Sequence, residues 1–149
     1  MKTAQQIVYV DMDGVLCDYY AAFERERLRD PAQPYPQSVP GFYRGLGPID
    51  GALEGFAALS ARPELDVHIL TAPSVYNPLS YTEKRLWVED HLGFDAVHRL
   101  IIAPDKSMLR GDYLIDDQSE GRGQERFAGT LIHFGRGAWP DWCSVLKGF

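Results

Sequence analysis

Apolar residues fall along the chain in two alternating rhythms. Short continuous runs occur at Ile7-Val8-Tyr9-Val10, Val67-His68-Ile69-Leu70-Thr71, Arg99-Leu100-Ile101-Ile102-Ala103, Tyr113-Leu114-Ile115 and Thr130-Leu131-Ile132-His133-Phe134. Rich in β-branched and aromatic side chains, they read as strands, the first buried on both faces and the second buried as well. Stretches of helical composition separate them. Asp18 to Leu28 sets Tyr20, Phe23 and Arg27 on one face and acid–base pairs on the other, and Pro31 ends it. Gly51 to Ala61, with Asp50 as N-cap, offers Leu53, Phe56, Ala57 and Ser60 to a sheet. Ser80-x-x-Glu83 reads as a capping box opening a helix from Tyr81 to Leu92 that closes at Gly93. A last helix is expected from Trp139 to Leu146, with Pro140 in its first turn. Strands alternating with helices, without a long repeat, predict a parallel sheet with helices on both faces.

One segment obeys neither rhythm. Between Asp30 and Pro48 five prolines and three glycines interrupt every period, and Gly41-Phe42-Tyr43-Arg44 is its only aromatic cluster. It is expected to be irregular. With 149 residues, the chain is read as a single domain carrying a short insertion at about 18–49. Hydrophobic content of 45% and charged content of 24% are those of a globular protein. A net charge of −6 argues against an extended nucleic-acid backbone as partner, though not against a small anion in a locally positive pocket. No apolar run approaches the ~18 residues of a membrane span, and no signal-peptide pattern precedes Ile7, so a cytosolic protein without membrane contact is expected. Cys17 and Cys143 stand alone and are read as reduced.

The candidate chemistry clusters at strand ends. Ile7 to Val10 runs into Asp11-Met12-Asp13-Gly14. Two aspartates two apart on a strand would face opposite ways, so to serve one site the chain must leave strand geometry there, and Gly14 permits the bend. Asp-Gly is equally a turn signal, so this cluster alone decides nothing. Thr71-Ala72-Pro73-Ser74 places a hydroxyl and backbone N–H groups just past the second strand, suited to phosphate oxygens or to a plain turn. Lys106 follows the third strand; beside carboxylates and a phosphate it would act as a compensating cation. Asp116-Asp117 ends the fourth, and two adjacent acids repel unless a cation or donors compensate. With Asp11 and the Asp13 carbonyl they make an all-oxygen set suited to Mg²⁺. The four histidines show no ligand spacing, Gly121-Arg122-Gly123 does not open a helix as a phosphate loop would, and Trp139 and Trp142 read as core anchors.

In order, Asp-x-Asp-Gly, a post-strand Thr, Lys and Asp-Asp resemble the four motifs of the haloacid dehalogenase-like phosphatases. Asp11 to Tyr19, Tyr81 to Glu89, Asp105-Lys106-Ser107, Asp112 to Asp117 and Trp139-Pro140-Asp141-Trp142 resemble more narrowly the 5'(3')-deoxyribonucleotidases, the cytosolic type C 5'-nucleotidases. The resemblance implies a Rossmann-like three-layer α/β/α sandwich with a central parallel sheet and a small, reduced cap. It implies a Mg²⁺-dependent phosphatase acting on a small phosphorylated substrate, a deoxyribonucleoside monophosphate, and it allows a homodimer. Carried over by position, Asp11 is the nucleophile and Asp13 the acid/base. Thr71, Ala72 and Lys106 bind phosphate, and Asp11, Asp13, Asp116 and Asp117 form the metal site, with Asp117 favoured over its neighbour Asp116 as the direct ligand and the choice between the two left open. Tyr19 lines the base pocket. Two departures stand out. Ala72 replaces the family's serine, leaving only its N–H for phosphate, and the cap is shorter, without a clear counterpart of the base-stacking aromatic pair. Phe42 and Tyr43 are the candidates for part of that wall. The rival readings are a phosphatase for another small phosphorylated metabolite and a catalytically silent phosphate-binding module.

Overall fold

The computed structural model of the chain describes residues 4–149. Strands β1 (Gln6–Val10), β2 (Leu65–Thr71), β3 (Leu100–Ile102), β4 (Tyr113–Asp116) and β5 (Thr130–His133) form one sheet in the order β3-β2-β1-β4-β5, with every neighbouring pair parallel. The central place of β1 explains its unbroken apolar run, since Val8 and Val10 are sealed on both sides. Register then aims the chemistry. Val10 pairs with Ile69 and Ile115, and the Asp11 N–H donates to the Ile115 carbonyl at 2.9 Å, so the acids after β1 emerge beside those after β4.

Five helices connect and close the sheet: α1 (Tyr19–Arg29), α2 (Ala52–Ser60), α3 (Ser80–Leu92), α4 (Phe94–Val97) and α5 (Trp142–Lys147). Their buried residues, among them Ala22, Phe56, Leu59, Trp87, Val88, Trp142 and Val145, join Val8, Val10, Val67, Ile69, Ile115 and Ile132 in one core. Trp142 and Trp87 are buried with their indole N–H groups donating to the Val15 and Leu46 carbonyls at 2.9 and 2.8 Å. Truncating either to Ala would cost ~3–5 kcal/mol. The opposite face is thinner. Tyr9, Leu70 and Leu114 pack there with Phe127 and Leu109, and among the described residues none of this smaller cluster comes from an α-helix. Its cover is two 3-10 turns, Lys106–Met108 and Gln124–Arg126, with their flanking residues.

Local capping expectations give way where tertiary partners compete. Gly51, at φ 76°, is the N-cap of α2, and Asp50 makes no side-chain cap. Ser80 already lies inside α3, and its hydroxyl pairs with Ser74 rather than with Glu83. The Glu83 carboxylate instead accepts from the backbone N–H groups of Gly41, Tyr43 and Arg44 at 3.1, 3.1 and 3.3 Å, because those donors would otherwise be buried unpaired. With Trp87 on Leu46 and an Arg44–Asp90 ion pair, this bond fastens the irregular segment to α3. Helix α5 starts three residues later than expected. Asp141 is its N-cap, in a capping box with Ser144, while Trp139 and Pro140 lie in the preceding turn. On α1 it is Ala22, not Tyr20 or Phe23, that is buried.

Candidate active site

At the end of β1 the backbone turns on itself. The Met12 carbonyl accepts from the N–H groups of Val15, Leu16 and Cys17 at 3.1, 2.8 and 2.9 Å, bringing Asp11 and Asp13 to one side. Gly14 has φ 83°, and a Cβ there would lie 2.3 Å from Asp117 Oδ2, so a glycine is needed for backbone and carboxylate alike. Asp11, Asp13, Tyr19, Tyr43, Thr71, Ala72, Lys106, Asp116 and Asp117, all expected from sequence, line one cavity of about 300 Å³ at the carboxyl ends of the strands.

Two buried lysines organise it. Lys106, only 2% exposed, sits 2.9 Å from Asp11 Oδ1 and 2.6 Å from Asp116 Oδ2. Burial alone would pull its ammonium down, but Asp11 and Asp116 outweigh that and hold it charged beyond the ordinary lysine range. Burial pushes the Asp11 carboxyl well above its ordinary value, while Lys106 pulls it back. Asp116 is fully engaged: Gln124 Nε2 also donates to its Oδ2 at 3.2 Å, and the Gln118 N–H to its Oδ1 at 2.9 Å.

Lys84 was not anticipated as part of the site. It projects from α3, 1% exposed, and donates to Asp13 Oδ2 at 2.9 Å and to Thr71 Oγ1 at 2.7 Å, tying the β1 turn to the end of β2. A signal existed in the sequence: Ser80, Lys84, Trp87 and Val88 share one helical face, and they are buried together. Tyr20, Gln118, Arg122 and Gln124 also line the cavity without having been singled out for it.

The wall differs from expectation at one position. Tyr43 faces the cavity, whereas Phe42 packs edge-on against Tyr19 and Tyr43 at 5.6 and 5.1 Å and lines a groove behind them. Adjacent residues of this turn cannot share a face, so Phe42 supports the wall rather than forming it. Burial, reinforced by Asp13, pushes the Tyr19 phenol up to about 12, and burial likewise raises Tyr43, so both are neutral hydrogen-bonding rings at working pH.

The donor set fits a divalent cation. Asp11, Asp116 and Asp117 each bring a carboxylate oxygen within 4.8 Å of the others. Asp117 Oδ1 is buried and lacks a hydrogen-bond partner, which is costly for a carboxylate unless a cation takes it. Burial raises the Asp117 carboxyl above its ordinary value, as expected for an acid with an unmet need for positive charge. The Asp13 side chain is committed to Lys84 and stands outside the three-acid group.

Residues 29–138 match the family described as "5' nucleotidase, deoxy (Pyrimidine), cytosolic type C protein". The chain is 38% identical to the "Putative 5'(3')-deoxyribonucleotidase" of Vibrio phage KVP40, over 97% of this chain and 85% of that one. It is 35% identical to the human "5'(3')-deoxyribonucleotidase, cytosolic type", over 79% and 73%. A fainter likeness, TM-score 0.44 at 18% identity over 77% of this chain and 73% of the other, is to the crystal structure of a "putative haloacid dehalogenase-like hydrolase" from Burkholderia xenovorans LB400. An α/β protein with this site and these relatives is a phosphoric monoester hydrolase. The chain belongs to the cytosolic type C 5'(3')-deoxyribonucleotidase family.

Proposed function

We propose that the protein is a Mg²⁺-dependent phosphatase that removes phosphate from a deoxyribonucleoside monophosphate through an aspartyl-phosphate. The observation that carries this is the convergence of Asp11, Asp13, Lys106 and Asp117 on one cavity, although they lie far apart along the chain. Asp11 Oδ2, the oxygen not held by Lys106, attacks phosphorus; the bond to the ester oxygen breaks, and Asp13 gives that oxygen a proton. Asp13 then takes a proton from water, which attacks the phosphoenzyme and releases phosphate and free Asp11. Lys84 keeps Asp13 in place through both halves. Lys106, the Thr71 hydroxyl and the Ala72 N–H bind phosphoryl oxygens. Asp11, Asp117 and the Asp13 carbonyl would hold Mg²⁺, with Asp116 beside them; the ion supplies charge stabilisation to the transferring group.

Tyr19 and Tyr43 provide the wall for the base, and residues 18–49 act as a reduced cap on a one-domain protein. The proposed location is cytoplasmic and the substrate a small molecule rather than a polymer; no helix among the described residues is long and apolar enough to cross a membrane. Asp11→Asn removes the nucleophile while preserving shape, and turnover should fall by ~10⁴-fold or more with the far-UV spectrum unchanged. Retained activity in that variant overturns the mechanism. A second substrate class, small non-nucleotide monophosphates, is favoured by Phe42 lying behind the wall. A panel of purified monophosphates separates the two: selectivity for deoxyribonucleotides supports the first, indifference the second.

A further inference from the structure

We infer that Tyr20, with Gln118, is the positioning pair that presents Asp117 to the divalent cation; this rests on the cation reading above. Of the four acids in the cavity, three have a lysine: Asp11 and Asp116 share Lys106 at 2.9 and 2.6 Å, and Asp13 has Lys84 at 2.9 Å. Asp117 has only neutral donors among the described residues. The Tyr20 hydroxyl donates to its Oδ2 at 2.7 Å across 97 residues of chain, and Gln118 Nε2 reaches the same oxygen at 3.2 Å. Gln118 Nε2 also donates to the Tyr20 oxygen at 2.7 Å, which turns the phenolic proton toward Asp117.

The arrangement has a consequence for charge. A lysine or arginine in this position would orient the carboxylate but cancel the charge the cation needs. A phenol and an amide orient it and leave the charge in place. With Oδ2 pinned between Tyr20 and Gly14, the other oxygen, Oδ1, is left buried without a donor beside Asp11 and Asp116. Without the phenol, repulsion from those two neighbours would turn the carboxylate outward. Tyr20, Asp117 and Gln118 also border a second cleft of about 380 Å³ that reaches Arg136, so the side open to the phenol is otherwise open to solvent. Tyr20 is half exposed, and the helix it sits on buries Ala22 instead. Its place therefore follows from this contact and not from core packing.

The test is calorimetric titration of MgCl₂ into metal-free full-length protein without substrate. Tyr20→Phe keeps the ring and removes the hydroxyl; its Mg²⁺ Kd should rise ~10–100-fold, while the urea midpoint of the metal-free protein matches wild type. Gln118→Met should give a smaller rise in the same direction. The Mg²⁺ concentration for half-maximal turnover should move in parallel. Unchanged Kd values in both variants, with wild type binding Mg²⁺, overturn the inference and leave the phosphatase reading standing. No Mg²⁺ binding by wild type overturns the cation reading itself.

Discussion

Two ends of the same sheet hold a cluster of acidic and basic groups, one a lysine between two carboxylates and the other a carboxylate between two bases, and they teach different things. At the carboxyl ends of the strands, Lys106 lies between Asp11 and Asp116 with side-chain exposures of 2%, 9% and 1%. Toward the amino end of β2, Asp66 Oδ1 meets Arg99 at 2.9 Å and His68 at 3.0 Å, with side-chain exposures of 34%, 46% and 26%. The distances are alike; the solvent is not. Water screens the Asp66 group, so it adds little to stability. In the buried group, desolvation is severe and each charge depends on the others. Such a site is costly as architecture, and it is kept where charge has chemistry to do.

The sharpest test of this contrast is Lys106→Met. Removing the cation leaves two buried carboxylates, and chemical denaturation should show a loss of ~3–5 kcal/mol or failure to fold. A loss below ~1 kcal/mol would erase the distinction between the two ends.

Lys84→Met divides the buried end further. Asp13 keeps partial solvent contact, its side chain being 25% exposed, so the stability cost should be smaller than for Lys106. The catalytic cost should be ~10²-fold in kcat with an alkyl monophosphate. It should shrink with p-nitrophenyl phosphate, whose leaving group needs no proton from Asp13. Equal losses with both substrates would refute the assignment of Lys84 to Asp13.

The smallest effect belongs to Asp66. Its hydrogen bond to His68, with Arg99 adding to it, holds its carboxyl below the ordinary value against the opposing effect of burial. A depressed folded value means that the stabilisation is fully present above the unfolded value of ~3.9 and is lost as pH falls through the folded one. Asp66→Asn should therefore lower the urea midpoint slightly at pH 6, by less than ~1 kcal/mol given its exposure. The difference should narrow toward pH 3; one that widens with acid would mean that the Asp66 carboxyl is held above its ordinary value in the folded protein.

Sequence carried the elements and the acids that line the cavity because both depend on local pattern. A short, β-branched apolar run bounded by turn residues reads as a strand, and acids at its end stand close together in the sequence: Asp11, Asp13, Asp116 and Asp117 were legible for that reason. Lys106 was legible because it too follows a strand. Local pattern also misled. Ser80 and Glu83 have capping-box spacing, yet Glu83 is taken by the backbone of Gly41, Tyr43 and Arg44. Phe42 and Tyr43 look equivalent until the turn assigns them to opposite sides.

The chain's own order of residues thus determined a parallel α/β sheet, the position of its acids and the kind of chemistry they suit. Only the folded structure decided who touches whom. Lys84 on Asp13 and Tyr20 on Asp117 join residues 71 and 97 positions apart, and of the adjacent Asp116 and Asp117 only Asp116 pairs with Lys106. Such pairings are set by strand order and burial. No spacing along the sequence encodes them, because charge and hydrogen bonding act through space at about 3 Å.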